Sequence, residues 1–184
     1  PNCHRDDANG FVLEVANVTH LVNQASHIAG RSFDAMAISE HSLSASQKIG
    51  LRDRLGKDCF YDLTPLIPDA EHQVGGVGML TRRDPPIMPK IKHPALATLT
   101  NQGRVQLYAI NVGHGIIIHV YQLYGATNGN GNKQAASTTN SILRHICQDI
   151  EMQEQLPVLI TGDLNADPCR LEVLQDAFDD HHLY

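Results

Sequence analysis

An aspartate and an asparagine stand two positions apart where an apolar segment of the chain ends. Residues 157–161 are a proline followed by apolar and β-branched residues, a composition typical of a buried strand, and Gly-Asp-Leu-Asn comes next. Side chains two apart share one side of an extended backbone, so Asp163 and Asn165 can face the same small volume. A carboxylate beside an amide can hold a water molecule near a divalent cation and a phosphate. The simpler alternative is a turn in which both side chains bond their own backbone.

Three further polar or aromatic residues stand at the ends of other predicted strands: Asn17, Glu40 and Tyr124. Loops at strand ends commonly carry the chemistry of a fold, because the rigid sheet fixes their positions. We therefore expect these residues to converge with Asp163 and Asn165 on one acidic pocket that holds a cation. Each also has an ordinary interpretation: Asn17 as a helix cap, Glu40 as a solvated carboxylate and Tyr124 as a core or rim aromatic.

The predicted elements that must position these residues are strands mixed with helices. Strands are predicted over residues 11–18, 34–39, 74–81, 95–100, 104–111, 115–124 and 157–163, the fourth to sixth as an antiparallel meander. Helices are predicted over residues 21–29 behind a Thr19 cap, over 44–55 and 133–152, and after Pro168, with an Asn-Gly turn at 128–132. No repeat or linker interrupts the pattern, so residues 1–184 are predicted to form a single domain.

Composition and charge restrict the class of protein. With 184 residues, 42% of them hydrophobic and 18% charged, the chain is expected to be globular rather than disordered or a coiled coil. The net charge of -6 does not attract nucleic acid, so a polyanionic substrate needs bound cations or a local basic patch. Basic residues gather in the predicted loop 82–94, where they either follow a nucleic-acid backbone or are merely solvated: Arg82, Arg83, Lys90 and Lys92.

The remaining motifs exclude several chemistries. The four cysteines lack CxxC spacing, which predicts reduced thiols and an intracellular, nuclear or cytoplasmic, location. No segment has the apolar length of a membrane span, so no membrane partner is expected. The histidines lack a zinc-ligand pattern, the glycines at 75–78 lack the helix of a dinucleotide fingerprint, and no Gly-x-Ser-x-Gly is present.

Five short segments, in this order, resemble the endonuclease/exonuclease/phosphatase superfamily. They are residues 16–18, 34–40, 75–80, 120–126 and 161–165, and together they span most of the chain. The resemblance implies an α/β fold, namely a four-layered sandwich of two mixed β-sheets flanked by helices, with the last strands missing. It also implies hydrolysis of a phosphodiester assisted by Mg²⁺ or Mn²⁺.

The resemblance implies a role for each candidate residue. Glu40 matches the metal-binding carboxylate, and Asn17 matches the asparagine near the metal. Tyr124 matches a residue that contacts the phosphate. Asp163 matches the residue that positions or deprotonates the attacking water, and Asn165 matches the amide that orients this water and the scissile group. One protein carboxylate is a sufficient anchor for a hard cation that keeps several waters and binds phosphate oxygens.

One motif of the superfamily has no clear match in this chain. It is a Ser-Asp-His near the carboxyl end, whose histidine protonates or stabilises the phosphate. Asp180-His181-His182 resembles it only superficially, because one short helix separates these residues from Asn165. We therefore expect an incomplete, retroelement-type module that needs the missing part for activity.

The leading hypothesis is a metal-dependent phosphodiester hydrolase of the endonuclease type, with nucleic acid, and DNA in particular, as substrate. One alternative is a phosphatase acting on inositol phosphates or lipid headgroups. The other is a catalytically inactive remnant that binds nucleic acid or a protein partner. The acidic net charge of -6 favours these alternatives.

Overall fold

A computed structural model describes residues 10–66, 75–82, 84–153 and 156–179. Within these ranges the strands are β1 (Leu13–Asn17), β2 (Ala35–Ser39), β3 (Phe60–Leu63), β4 (Val77–Thr81), β5 (Val105–Gly113), β6 (Ile116–Tyr124) and β7 (Val158–Asp163). The helices are α1 (Leu21–Ala29), α2 (Ala45–Lys48), α3 (Leu51–Leu55), α4 (Pro94–Asn101), α5 (Lys133–Met152) and α6 (Glu172–Asp179). A short 3-10 turn, Pro168–Arg170, precedes α6.

The strands form two mixed sheets. The first sheet has the order β1-β2-β4-β3, in which β1 and β2 are parallel and the other pairs are antiparallel. The second sheet has the order β5-β6-β7, in which β5 and β6 are antiparallel and β6 and β7 are parallel. This topology confirms the predicted mixed sheets.

Three apolar clusters separate the layers of the molecule. The cluster between the two sheets contains Ala35, Ala37, Met79, Tyr108, Ile110 and Val120. On β2 the alternating residues Met36 and Ile38 point the other way, into a cluster shared with α1 and α3. The outer face of the second sheet is covered by α4, α5 and α6. Helices, sheet, sheet and helices therefore form the four layers that the sequence predicts.

The long helix α5 agrees with its prediction to the residue. Its apolar stripe, which includes Ile142, Leu143 and Ile146, is buried against the second sheet. The side chain of Asn132 caps its first turn by accepting from the amide of Gln134 at 2.8 Å.

The prediction of a strand over residues 95–100 is wrong, because this segment is the helix α4. Pro94 occupies the first turn of the helix, where its fixed φ is favourable and its missing N–H costs nothing. Leu96 and Leu99 then lie on one helical face and pack in the cluster under α5. Of the predicted meander, only β5 and β6 therefore pair with each other.

Two further differences concern the first sheet. The predicted helix 44–55 is divided into α2 and α3, because Ile49 is extended and Gly50 has a φ of 78°. Ser44 caps α2, and Gly56 ends α3. Strand β3 was not predicted. It pairs only with β4, at the edge of the sheet.

Two further findings concern the cysteines and the length of the helices. The described cysteines Cys59, Cys147 and Cys169 are free thiols. Throughout the part of the chain that the structure describes, no helix has the length and apolar character needed to cross a membrane.

Candidate active site

Four strands bring the candidate residues to one edge of the sandwich. In the first sheet, Asn17 pairs with Ser39, the residue before Glu40. In the second sheet, Tyr124 pairs with Asp163. Both pairs belong to parallel strands, whose carboxyl ends lie at the same edge.

A chain of hydrogen bonds joins the candidate residues across the two sheets. Asn17 Nδ2 donates to Asp163 Oδ2 at 2.9 Å. The backbone amide of Thr19 donates to Asn17 Oδ1 at 3.3 Å, and Thr19 Oγ1 donates to Glu40 Oε2 at 2.8 Å. Tyr124 donates its hydroxyl to Glu40 Oε1 at 2.7 Å. Glu40 and Asp163 therefore lie at the same edge within one hydrogen-bonded group, and their functional role stays a prediction.

The loop after β7 is a turn closed by the side chain of Asp163. Asp163 Oδ1 accepts from the amide of Asn165 at 2.9 Å, and Asn165 has a positive φ of 53°. Asn165 Nδ2 donates to the carbonyl of Gly125 at 3.4 Å. Asp163 and Asn165 therefore lie close together because the chain turns between them. They do not share one side of an extended strand, as the sequence predicted. The turn and the functional interpretation are compatible, because Asp163 Oδ2 faces Asn17 instead.

Gly162 is required for the approach of β7 to β6. Its φ is 134°, and a Cβ at this position would lie 1.9 Å from the carbonyl oxygen of Leu123. Any larger residue would therefore displace β7 and, with it, Asp163.

The electrostatics keep Glu40 ionised and Tyr124 protonated. Burial works to raise the pKa of the Glu40 carboxyl, but hydrogen bonds from Tyr124, Thr19 and Asn17 and the nearby charge of His20 lower it below its ordinary value of 4.5. Burial raises the pKa of the Tyr124 hydroxyl, and its hydrogen bond to Glu40 raises it further. The tyrosine is therefore a hydrogen-bond donor at neutral pH.

Thr19 belongs to the site, and its predicted role as a helix cap is wrong. His20, with a φ of 65°, occupies the N-cap position of α1 and makes no side-chain capping bond. The Thr19 hydroxyl donates to Glu40 instead. One signal for this role is present in the sequence, since Thr19 lies two residues beyond Asn17 at the end of a strand.

A buried polar chain beneath the site was also missed. Gln122 Nε2 donates to Ser39 Oγ at 2.9 Å, and Thr161 Oγ1 donates to Gln122 Oε1. Ser39 directly precedes Glu40, and Gln122 lies two residues before Tyr124 on the same side of β6. This chain links the two sheets directly under the site residues, so it fixes their relative positions.

His41 fixes the backbone that follows Glu40. Its ring is fully buried, its Nδ1 accepts from the amide of Leu43 at 3.1 Å, and its Nε2 lies 3.1 Å from the carbonyl of Thr64. Burial and the charge of Lys48 lower the pKa of His41 to about 4, although the bond to Thr64 opposes this shift. The ring is therefore neutral at pH 7 and donates from Nε2.

Two residues of the predicted basic loop, Arg82 and Lys92, bind backbone carbonyls at helix ends. The guanidinium of Arg82 lies 4.7 Å from the ring centroid of Phe33 and donates to the carbonyls of Ile28 and Ala29. Lys92 Nζ donates to the carbonyl of Met152 at the end of α5. Their charges therefore stabilise helix ends. Arg83 and the Asp180-His181-His182 segment lie outside the described residues.

The donor atoms of the site suit a hard cation. They are carboxylate, amide and hydroxyl oxygens, which Mg²⁺ and Mn²⁺ prefer. Within the described ranges, no group of three or more His, Cys, Asp or Glu side chains could hold a metal ion. A cation here must therefore complete its shell with water and substrate oxygens.

Comparison with known proteins gives matches in structure but not in sequence. No protein-family model and no curated protein sequence matches the chain. A 3'-5' exonuclease from Neisseria meningitidis matches with a TM-score of 0.64 and 15% identity, over 91% of this chain and 70% of the exonuclease. An AP endonuclease from Archaeoglobus fulgidus matches with a TM-score of 0.63 and 11% identity, over 92% and 68%. Sphingomyelinase C from Streptomyces griseocarneus matches with a TM-score of 0.57 and 15% identity, over 92% and 70%.

Each of these matches covers about nine-tenths of this chain with a TM-score of 0.57 to 0.64, so the chain shares the fold of these proteins. The chain therefore has the fold of the endonuclease/exonuclease/phosphatase superfamily.

Proposed function

We propose that this chain is a divalent-metal-dependent phosphodiester hydrolase of the endonuclease type that acts on DNA. The observation that carries the proposal is the single hydrogen-bonded network that joins Asp163, Asn17, Glu40 and Tyr124 at one edge of the sandwich. Positioning and charge stabilisation supply most of the catalysis in phosphoryl transfer, so a site without a nucleophilic Ser or Cys is sufficient. A Neisseria 3' phosphatase with the same fold holds a product DNA hairpin, which supports nucleic acid as the substrate.

In the proposed reaction Asp163 accepts a proton from the attacking water. Its two oxygens accept from the amide of Asn165 and from the side chain of Asn17, and these fixed donors hold the carboxylate in one orientation. The Asn165 side chain orients the water and the scissile group. Tyr124, which donates to Glu40, transfers its hydrogen bond to a phosphate oxygen when substrate binds.

Glu40 and Asn17 are the residues that we propose to hold Mg²⁺ or Mn²⁺. Glu40 carries a negative charge at neutral pH because its pKa is lowered, and Asn17 adds an amide oxygen. When bound, such a cation withdraws charge from the phosphate and lowers the pKa of a coordinated water. The intracellular location stays a prediction.

Nicking of supercoiled plasmid DNA tests the proposal. A protein that joins this chain to the expected Ser-Asp-His segment should nick the plasmid in Mg²⁺ or Mn²⁺ but not in EDTA, and Asp163→Asn should lower the rate by about 10² to 10³. Asp176→Asn, which removes an exposed carboxylate on α6, is the matched control and should retain the rate. Nicking that is insensitive to both EDTA and Asp163→Asn would refute the proposal.

The second candidate is a phosphatase that acts on inositol phosphates or lipid headgroups. The net charge of -6 and the sphingomyelinase C match favour it. Metal-dependent release of phosphate from phosphoinositides, lost in Asp163→Asn and without nicking of DNA, would establish it instead. If the folded protein that includes the Ser-Asp-His segment turns over neither substrate, this chain is an inactive remnant.

A further inference from the structure

A groove on the exposed face of α5 carries three basic side chains. It has a volume of about 500 Å³ and is lined by Lys133 and Arg144 of α5 and by Arg170 of the 3-10 turn. All three side chains are exposed, and none forms an ion pair within the described part of the chain. Glu172 is the one acidic residue in the lining.

The groove is continuous with the candidate active site through Asn130. Arg170 Nη1 donates to the carbonyl of Asn130, and the amide of Asp167 donates to Asn130 Oδ1 at 2.5 Å. Asn130 also lines a second cavity of about 500 Å³ together with Asp163 and Asn165. One surface therefore runs from Asp163 past Asn130 to the basic side chains.

The contacts around the groove hold Arg170 in place. Asn140 is 9% exposed, and its Nδ2 donates to the carbonyl of Arg170 at 3.3 Å, which fixes the 3-10 turn against α5. Lys133 is the first residue of a 20-residue helix, so the positive end of the helix dipole adds to its charge. Glu172 and Asp167 offset part of the positive charge.

We propose that this groove binds the phosphate backbone of the substrate strand next to the scissile bond. This inference rests on the proposed function and deepens it, because a polynucleotide reaches the groove from the active site and a single phosphorylated headgroup does not. Contacts from lysine and arginine to phosphate carry no sequence information, so binding is sequence-independent. The groove thereby supplies the local basic patch that a chain of net charge -6 needs for a polyanionic substrate.

Binding without cleavage tests the groove directly. A labelled single-stranded DNA is titrated in EDTA with Asp163→Asn protein, and the fluorescence anisotropy is measured over a series of salt concentrations. Lys133→Ala combined with Arg144→Ala is expected to weaken binding to every sequence and to lower the slope of log K against log salt by about 1.4. Arg54→Ala combined with Lys57→Ala removes two exposed charges on the first-sheet side and should change neither quantity. No DNA binding by the parent protein, or equal effects of the two double variants, overturns the inference.

A small substrate separates the groove from the active site. Bis-para-nitrophenyl phosphate has no neighbouring phosphates, so the groove variant is expected to hydrolyse it at the unaltered rate while its KM for DNA rises. If the groove variant cleaves DNA with an unchanged KM, the groove does not bind the substrate strand, and the proposed function is unaffected. If the parent protein hydrolyses neither substrate, the proposed function is refuted. The anisotropy titration still shows whether the groove binds DNA.

Discussion

Two carboxylates of this chain, Glu40 and Asp149, each accept a hydrogen bond from a tyrosine of β6. Tyr124 donates to Glu40 at 2.7 Å, and Tyr121 donates to Asp149 at 2.8 Å. The tyrosines are three positions apart, so they point to opposite faces of the second sheet. Tyr124 faces the first sheet, whereas Tyr121 faces the layer of helices.

Asp149 is a closed site, which means that donors of the protein itself occupy its acceptor positions. It is fully buried, and its Oδ1 accepts from the backbone amides of Lys92 and His93 at 2.7 and 2.6 Å. Its Oδ2 accepts from Tyr121 and from Gln153. Burial works to raise the pKa of Asp149, but these four hydrogen bonds lower it below its ordinary value of 3.8. Asp149 thus ties the segment before α4 to both α5 and β6.

Glu40 is an open site, which means that the donors seen among the described residues leave part of its acceptor capacity unused. Hydroxyl groups of Thr19 and Tyr124 donate to its two oxygens, and no backbone amide is seen to do so among the described residues. A carboxylate has about four acceptor positions, so Glu40 keeps capacity for a ligand while Asp149 does not. Both carboxyl groups have lowered pKa values, so the type of donor, and not the pKa, distinguishes Asp149 from Glu40.

The largest expected effect comes from Glu40→Gln, which tests the open site. The amide keeps the shape of the side chain but removes the charge, so the metal-dependent rate of DNA nicking should fall by about 10² to 10³. The free energy of unfolding, measured in urea, should change by less than about 1 kcal/mol, because the amide oxygen can accept from one of the two hydroxyls and the amide NH2 can donate to the oxygen of the other. Loss of stability with an unchanged rate per folded molecule would make Glu40 structural.

Asp149→Asn tests the closed site and should have the opposite effect. An amide cannot accept the four hydrogen bonds that Asp149 accepts, so the free energy of unfolding should fall by about 3 to 4 kcal/mol. Asp176→Asn is the control. It removes an exposed carboxylate that forms no hydrogen bond seen among the described residues. The nicking rate per folded molecule should be unchanged, and a fall comparable to that of Glu40→Gln would refute the distinction.

The sequence predicted the open site better than the closed one. Glu40 and Asp163 follow buried strands, and the ends of parallel strands meet at one edge by geometry alone, so their convergence is visible without coordinates. Asp149 lies in a helical pattern and acquires its partners only when residues 92 and 93 pack against α5. That packing depends on α4, which sequence patterns did not distinguish from a strand. Thr19 was missed for a related reason, since a capping position and a site position look alike in sequence.

The pH dependence of stability should separate the two regions again. The pKa of His41, beside the open site, is about 4 in the folded chain and about 6.5 when unfolded. The unfolded state therefore binds more protons between these values, and stability is lost as the pH falls from 6.5 towards 4, by on the order of 3 kcal/mol. Asp149 adds a loss only below its unfolded value of 3.8.

Urea unfolding at a series of pH values checks this prediction. His41→Gln should flatten the dependence between pH 6.5 and 4, whereas Asp149→Asn should leave it intact. His145→Gln replaces a half-buried histidine on α5 and is the control for loss of an imidazole. An unaltered slope in His41→Gln would show that the buried ring does not control acid stability.

The smallest expected effects come from the two tyrosine hydroxyls. Tyr121→Phe leaves Asp149 with one donor fewer, so the free energy of unfolding should fall by about 1.5 kcal/mol at an unchanged rate per folded molecule. Tyr124→Phe should lower the nicking rate about tenfold, because a hydrogen bond to a charged phosphate is lost. Its cost in stability should be nearer to that of Tyr61→Phe, which removes only a 3.4 Å bond to the carbonyl of Lys48. If Tyr121→Phe lowered the nicking rate and Tyr124→Phe lowered only the free energy of unfolding, the two faces of β6 would have the opposite roles.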